Sequence, residues 1–217
     1  MSDLRVALIA EGPTDAIVMT WLQPEPTRRQ LGAGWGGVLR WCLEFASRGH
    51  SRLEEDPTLP GFDLFVIHTD ADVAECSYGD LSSDMVTLAS ERHWPPLPCA
   101  VPCPPPDGSV NEIRSRMLAW ASLPAPGPKT VLCVPSKVID AWLASAVLAA
   151  GHKLLGGIEC DLNLEARLEA LPKAERVKKT ERGYRALQNQ ITTAWPTVRQ
   201  QCSQAERFSN EIVAVAL

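Results

Sequence analysis

Residues 4–15, LRVALIAEGPTD, run from an apolar segment straight into a turn that carries two acidic residues. The segment Leu4–Ala10 has the length and composition of a β-strand. The glycine after it gives the backbone freedom to turn, and the proline is well placed at the first position of a helix. The stretch therefore predicts a strand followed by a helix, with Glu11 at the carboxyl end of the strand and Asp15 in the first helical turn.

A second apolar segment also ends in acidic residues. Phe62–Thr69 leads into Asp70 and Asp72, whose side chains share a face if the extended backbone continues. Two carboxylates about 4 Å apart repel by roughly 4 kcal/mol at an effective dielectric of about 20. A divalent cation relieves that repulsion, and oxygen ligands suit Mg²⁺ or Mn²⁺. The structural alternatives are a solvated aspartate-rich turn and, for Asp15, an acid that complements the helix dipole.

The order of the remaining segments predicts an α/β fold with a mainly parallel, Rossmann-like sheet flanked by helices. Thr130–Val134 is a third predicted strand, and Cys99–Cys103 is a weaker fourth that prolines restrict to a sheet edge or to no strand at all. Strand signals stop near residue 151. We therefore expect an α/β domain over residues 1–150 and a helical extension, 151–217, packed on the same core. Predicted helices lie near residues 14–22, 36–47, 80–92, 109–121, 136–150, 162–170, 183–194 and 197–215.

Composition is ordinary for a soluble globular chain of 217 residues, with 45% hydrophobic and 22% charged residues. The longest apolar run, residues 139–150, is too short to cross a bilayer, and the N-terminus has the pattern of a strand rather than of a signal peptide. These features predict a cytoplasmic protein without a membrane partner. Seven cysteines without a CxxC pair make a zinc site improbable and favour reduced, buried thiols.

The charge is unevenly distributed along the chain. The net charge is −5, which argues against indiscriminate binding of nucleic acid over the whole surface. Residues 173–185, KAERVKKTERGYR, hold six basic and two acidic residues, a local +4, so the remainder carries −9. Such a basic segment could bind phosphate groups locally, and it is also typical of an ordinary solvated helix.

The motifs IAEGPTD and VIHTDAD together resemble the Toprim domain, which has a glutamate after its first strand and a later DxD. The EGxxD form resembles the Toprim nucleases of the overcoming-lysogenization-defect family and small standalone Toprim proteins of bacterial defence loci. The resemblance covers residues 5–22 and 62–75, and residues 130–150 more loosely. It implies that Glu11 and Asp15 help to bind one metal ion, that Asp70 and Asp72 bind a second or shared ion, and that Glu11 is the acid/base candidate.

The same resemblance extends to two later segments. Small Toprim proteins often have a glutamate before a Trp-Leu pair, where this chain has Asp140, which could reach the metals or be a surface aspartate. Lys137 could contact a phosphate or be an exposed lysine, and we expect Ser136 to cap the following helix. Lys178, Lys179 and Tyr184 resemble a lysine-then-tyrosine pattern that could bind nucleic acid, although the tyrosine could simply pack.

The leading hypothesis from the sequence is therefore a nuclease that uses one or two Mg²⁺ or Mn²⁺ ions, with Glu11, Asp70, Asp72 and Lys137 as the catalytic candidates. DNA is the preferred substrate, cut by an endonuclease or nickase. An ATPase partner and a role in anti-phage defence are implied by the resemblance alone. The alternatives are a structured-RNA-processing Toprim enzyme and a non-catalytic binding module of the same fold. The sequence leaves homo-oligomerisation open.

Overall fold

A parallel four-stranded sheet forms the centre of the computed structural model, which describes residues 4–19, 27–28, 33–173 and 175–216. The strands are β1 (Val6–Ile9), β2 (Thr27–Arg28), β3 (Leu64–His68) and β4 (Thr130–Cys133), in the order β2-β1-β3-β4. β2 and β3 both pair with β1 and lie on opposite sides of it. The chain therefore reverses its direction across the sheet between β1 and β3, and in open α/β sheets ligands bind at the strand ends beside such a point.

Helices cover both faces of this sheet. Successive residues of β1 alternate between two hydrophobic clusters, with Val6 and Leu8 in one and Ala7 and Ile9 in the other. Burial on both faces explains why the strands are continuous apolar runs. Among the described residues no helix is long and apolar enough to cross a membrane. The helices are α1 (Pro13–Val18), α2 (Gly34–Ser47), α3 (Ser83–Glu91), α4 (Asp107–Trp120), α5 (Asp140–Val147), α6 (Leu164–Glu169), α7 (Glu181–Gln201) and α8 (Ser203–Ala216).

The α/β class and the three main strands are confirmed, but several predicted boundaries are wrong. Residues 99–103 form no strand, and β2 lies in a segment without a predicted element. The predicted break before Pro196 is absent, because α7 continues through this proline to Gln201. The break comes at Cys202, after which Glu159 Oε1 accepts hydrogen bonds from Ser203 Oγ (3.2 Å) and Gln204 N (3.1 Å). A carboxylate far away in sequence thus caps α8, and no local pattern reveals it.

The C-terminal helices share one core with the sheet. Trp142 of α5 is completely buried against Trp195 of α7, with ring centroids 5.6 Å apart, and against Phe208 of α8 at 5.8 Å. The cluster that holds these rings also holds residues of β1, β3 and β4. The residues after 151 are therefore part of the fold rather than a separate appendage.

Trp142→Ala should lower the free energy of unfolding by about 3–5 kcal/mol, because it removes the ring that joins three helices and leaves a cavity. Denaturant unfolding followed by circular dichroism measures this loss. Val213→Ala, at a side chain that is 54% exposed, is the control and should change stability by no more than about 0.5 kcal/mol. Two separate unfolding transitions, or a loss below about 1 kcal/mol for Trp142→Ala, would contradict a shared core.

The expectation of reduced cysteines is wrong at two positions. Cys103 and Cys160 form a disulfide that ties the proline-rich segment before α4 to the short 3-10 turn Ile158–Cys160. The two cysteines are 57 residues apart, so the sequence does not indicate that they pair. The bond forms because the fold brings the two side chains together. The other five cysteines are free thiols.

Candidate metal site

Glu11 and Asp70, from distant parts of the chain, meet at the carboxyl edge of the sheet. Glu11 follows β1, and its Oε1 accepts hydrogen bonds from the Asp70 backbone N–H (2.9 Å) and from the hydroxyl of Thr69. β1 and β3 are adjacent parallel strands, so the residues after them lie side by side. The structure therefore brings the Glu11 carboxylate against the backbone of Asp70. Thr69 is not among the predicted site residues, because a threonine before a DxD pair is not a distinctive sequence pattern.

The backbone after β3 is extended only as far as Asp70 and then forms a short 3-10 helix, Ala71–Glu75, so the predicted extension through Asp72 is wrong. Backbone hydrogen bonds to the segment after β4 hold this turn. Ala71 N donates to the Pro135 carbonyl (3.1 Å), and Asp72 N donates to the Lys137 carbonyl (3.0 Å). The Asp70 side chain in turn accepts a hydrogen bond from Ile139 N at 2.9 Å, just before α5 begins. Asp70 is thus held by two segments, whereas Asp72 is half-buried at the rim of the site.

Asp15 is the third acid at this edge. Its Oδ2 accepts a hydrogen bond from Gly12 N at 2.7 Å, as expected for an acid in the first turn of α1. The same oxygen lies 3.7 Å from His68 Nε2, and Asp70 Oδ1 lies 3.8 Å from that nitrogen. The structural role of Asp15 as a helix cap and its place in the acidic site are therefore both present.

Burial and mutual repulsion favour the protonated forms of Glu11, Asp70 and Asp72. Burial raises the pKa of the Glu11 carboxyl from 4.5 to about 7, despite the hydrogen bonds from Thr69 and Asp70. The pKa of Asp70 is raised well above its usual value by burial and then by the nearby Glu11 and Asp72. Burial also raises the pKa of Asp72, although the cations Lys179 and Lys137 act in the opposite direction. Without a cation, the site is electrostatically strained at neutral pH.

His68 supplies an observation that fits a cation. It is completely buried, and its Nδ1 lies 3.1 Å from the Cys133 carbonyl, an acceptor, so Nδ1 carries the proton. Nε2 then carries a lone pair that faces two carboxylates, and among the described residues it has no hydrogen-bond partner. Burial lowers the pKa of His68, which keeps the ring neutral. A positive ion between Nε2 and the oxygens of Asp15 and Asp70 would satisfy all three acceptors.

The donor atoms do not yet surround a single point. Within the described part of the chain, no three His, Cys, Asp or Glu side chains are arranged to hold a metal ion as they stand. The separations of 3.7 and 3.8 Å around His68 Nε2 exceed the roughly 3.0–3.5 Å between neighbouring ligands of an ion coordinated at about 2.1 Å.

Asp140, Lys179 and Tyr184 form a separate buried network next to the acids. Asp140 is the first residue of α5 and is completely buried. It accepts hydrogen bonds from the Tyr184 hydroxyl and from Lys179 Nζ at 3.2 Å. Lys179 also contacts Glu165 at 3.0 Å. Burial acts to lower the pKa of Lys179, but Asp140 and Glu165 outweigh it and raise the pKa.

The other candidates differ in how accessible they are. Of the three residues proposed to bind nucleic acid, only Lys178 is exposed, because Lys179 and Tyr184 are directed inward at Asp140. Lys137 is buried and donates to Glu75 Oε1 at 3.1 Å. The expectation that Ser136 caps α5 is wrong, since its hydroxyl donates to the Glu159 carbonyl.

The raised pKa of Glu11 predicts how stability depends on pH. A carboxyl whose pKa is raised on folding stabilises the fold in its protonated form, and this contribution is lost as the pH rises through about 7. Without divalent cations, Glu11 should make the free energy of unfolding fall between about pH 4.5 and about pH 7, whereas the lowered pKa of the buried His68 acts in the opposite direction. The Glu11 share, a shift of about 2.5 units, corresponds to about 3 kcal/mol.

Glu11→Gln should flatten this dependence, and Glu91→Gln, at an exposed glutamate of α3, should leave it unchanged. Urea unfolding at a series of pH values in EDTA makes the comparison. A pH dependence in Glu11→Gln that equals that of the parent would contradict the electrostatic description.

No family model matches the chain, and the comparisons with curated proteins and with solved structures also find no match.

Proposed function

We propose that this protein is a divalent-metal-dependent nuclease. The observation that carries the proposal is the meeting of Glu11 and Asp70 at the reversal point of a parallel sheet, beside a buried imidazole nitrogen without a partner. Buried acids with raised pKa values that lie close together are typical of sites that bind a cation or take part in a reaction. The resemblance of both motifs to Toprim nucleases supports the same function.

In this proposal Glu11, Asp15, Asp70 and Asp72 hold one or two Mg²⁺ or Mn²⁺ ions. A bound ion of this kind would stabilise the negative charge that develops on the phosphodiester in the transition state, and it would activate the attacking water. Glu11 is the candidate for proton transfer that the resemblance implies, and its carboxylate is held by hydrogen bonds from Thr69 and the Asp70 backbone N–H. Lys137 lies beside Asp72, where it can exchange its contact with Glu75 for a contact with a phosphate.

The experiment that tests the proposal is incubation of the purified protein with supercoiled plasmid and with a structured RNA, each with Mg²⁺, with Mn²⁺ or with EDTA. We expect nicked or linear plasmid with a divalent ion and intact plasmid with EDTA. Cleavage of the RNA alone would support the RNA-processing alternative. If both substrates stay intact with either ion, the nuclease proposal is wrong.

A second candidate is a non-catalytic binding module. Two observations favour it: the donors are not arranged around one point, and Lys179 and Tyr184 already satisfy Asp140. Titration of the protein with Mn²⁺ by calorimetry separates the candidates, because the module does not need a metal. No heat of binding at about pH 8, above the pKa of about 7 for Glu11, would favour the module.

A further inference from the structure

A basic cavity of about 520 Å³ lies at the start of α7, outside the acidic site. Four of its lining residues are Lys173, Arg176, Lys178 and Arg182, and Val177 and Leu187 contribute apolar surface. We refer to it below as the α7 cavity. Its volume is in the range of small-ligand sites, which are commonly about 300–1,000 Å³.

The cationic groups of the α7 cavity are not paired with carboxylates in the part of the chain that the structure describes. Within the described part of the chain, no carboxylate oxygen lies within 4 Å of Lys173, Lys178 or Arg182, although other lysines and arginines of this region are ion-paired. Arg176 is fixed by a hydrogen bond from its Nε to the Leu171 carbonyl at 3.1 Å. Several positive charges around one concavity, in a chain of net charge −5, indicate an anionic ligand.

Local geometry holds the basic residues together. A Cβ at Gly183 would lie 2.7 Å from the Lys178 carbonyl oxygen, so only glycine lets the preceding loop pack this closely on the first turn of α7. The hydroxyl of Thr180 accepts a hydrogen bond from Gly183 N at 3.1 Å and caps the helix. Lys178 and Arg182 are thereby placed at the same opening, next to the positive end of the helix dipole.

The loop that forms the cavity is also attached to the acidic site. Lys178 lines the cavity, while the adjacent Lys179 reaches inward to Asp140 at 3.2 Å. A second cavity of about 330 Å³ shares Arg176, Val177 and Leu187 with the first, and it is also lined by His152 and Glu175, which lie 3.8 Å apart. The two cavities together therefore form a concave surface along α7 that is larger than a site for one small ligand.

We propose that the α7 cavity and its neighbour bind a single-stranded polynucleotide segment. Lysine and arginine side chains contact phosphates, guanidinium planes and apolar walls accommodate bases, and an unpaired strand can insert individual nucleotides into a concavity. A duplex presents mainly its outer phosphates and leaves the cavity unfilled. The inference rests on the proposed nuclease function, since it names the substrate class of that site.

Fluorescence anisotropy in EDTA tests the inference without cleavage. The probes are a labelled short oligodeoxythymidylate and a labelled hairpin duplex of equal nucleotide number. We expect the single strand to bind at least about tenfold more tightly than the duplex. Lys178→Gln/Arg182→Gln should weaken binding of the single strand about tenfold or more. It should also reduce the salt slope of log Kd by about 1.4, at roughly 0.7 per lost phosphate contact.

The matched control is Arg52→Gln/Arg92→Gln, which removes the same charge from exposed positions away from the cavity and should leave the affinity within about twofold. Equal affinity for both probes, or equal loss in the two double variants, overturns the inference. Competition by thymidine monophosphate at concentrations as low as those of the oligonucleotide also overturns it, in favour of a free nucleotide. Cleavage without binding to the α7 cavity overturns this inference alone, whereas strand binding without metal binding or cleavage overturns only the nuclease proposal.

Discussion

Asp70→Asn is expected to reduce divalent-dependent cleavage by roughly 10³-fold, comparable with the loss of a preorganised electrostatic group in other enzymes. Asp70 is 8% exposed, lies 3.8 Å from His68 Nε2 and accepts a hydrogen bond from Ile139 N at 2.9 Å. Asparagine keeps the size and one acceptor oxygen, so the backbone can remain in place. It removes the negative charge on which cation binding depends. Initial rates of plasmid nicking, at saturating Mn²⁺, measure the effect.

The control for this variant is Asp84→Asn, which makes the same change at an exposed aspartate in the first turn of α3 and should retain full activity. Stability provides a second readout. Because burial and the neighbouring acids raise the pKa of Asp70, its ionised form destabilises the fold without a cation. Asp70→Asn should therefore be at least as stable as the parent at about pH 8 in EDTA. A stable variant that nicks plasmid as fast as the parent would refute the proposed role of Asp70.

Asp140→Ala is expected to lower the free energy of unfolding by about 3 kcal/mol, toward the lower end of the range for breaking a buried ion pair. The Tyr184 hydroxyl, in a side chain that is 1% exposed, would lose its acceptor. Lys179 would lose one of its two carboxylates but keep Glu165 at 3.0 Å, which moderates the cost. Chemical denaturation monitored by tryptophan fluorescence measures the change.

Two further variants distinguish a structural role of Asp140 from metal ligation. Tyr184→Phe should cost about 1–2 kcal/mol, because Asp140 keeps Lys179 as a partner. If Asp140 is structural, Asp140→Asn should leave the affinity for Mn²⁺ unchanged while lowering stability. A tenfold weaker affinity for Mn²⁺ in Asp140→Asn, with stability unchanged, would instead make this aspartate a ligand.

The sheet and its acidic edge could be predicted because they depend on local patterns. β1, β3 and β4 are buried on both faces, so their sequences are continuous apolar runs. Parallel strands carry the residues that follow them to one edge, which places Glu11 beside Asp70. These two rules need no knowledge of the remaining contacts.

Other features depend on tertiary contacts and could not be predicted. The interior of α7 includes Pro196 because the helix packs on α1 and α5, which outweighs the local cost of the proline. Lys179 points inward only because Asp140 and Glu165 lie beneath it, so a basic run in the sequence contains both buried and exposed cations. The position of His68 Nε2 near Asp15 likewise could not be predicted, because the two residues come from different segments of the chain.

The central claim, that carboxylates from two distant segments hold a divalent cation, is tested most directly by anomalous diffraction from a crystal soaked in Mn²⁺ at about pH 8. We predict a manganese peak at the carboxyl edge of the sheet, within coordination distance of carboxylate oxygens from both Glu11 and Asp70. A saturated crystal that shows no peak there, with both carboxylates retaining only the contacts described above, would contradict the account.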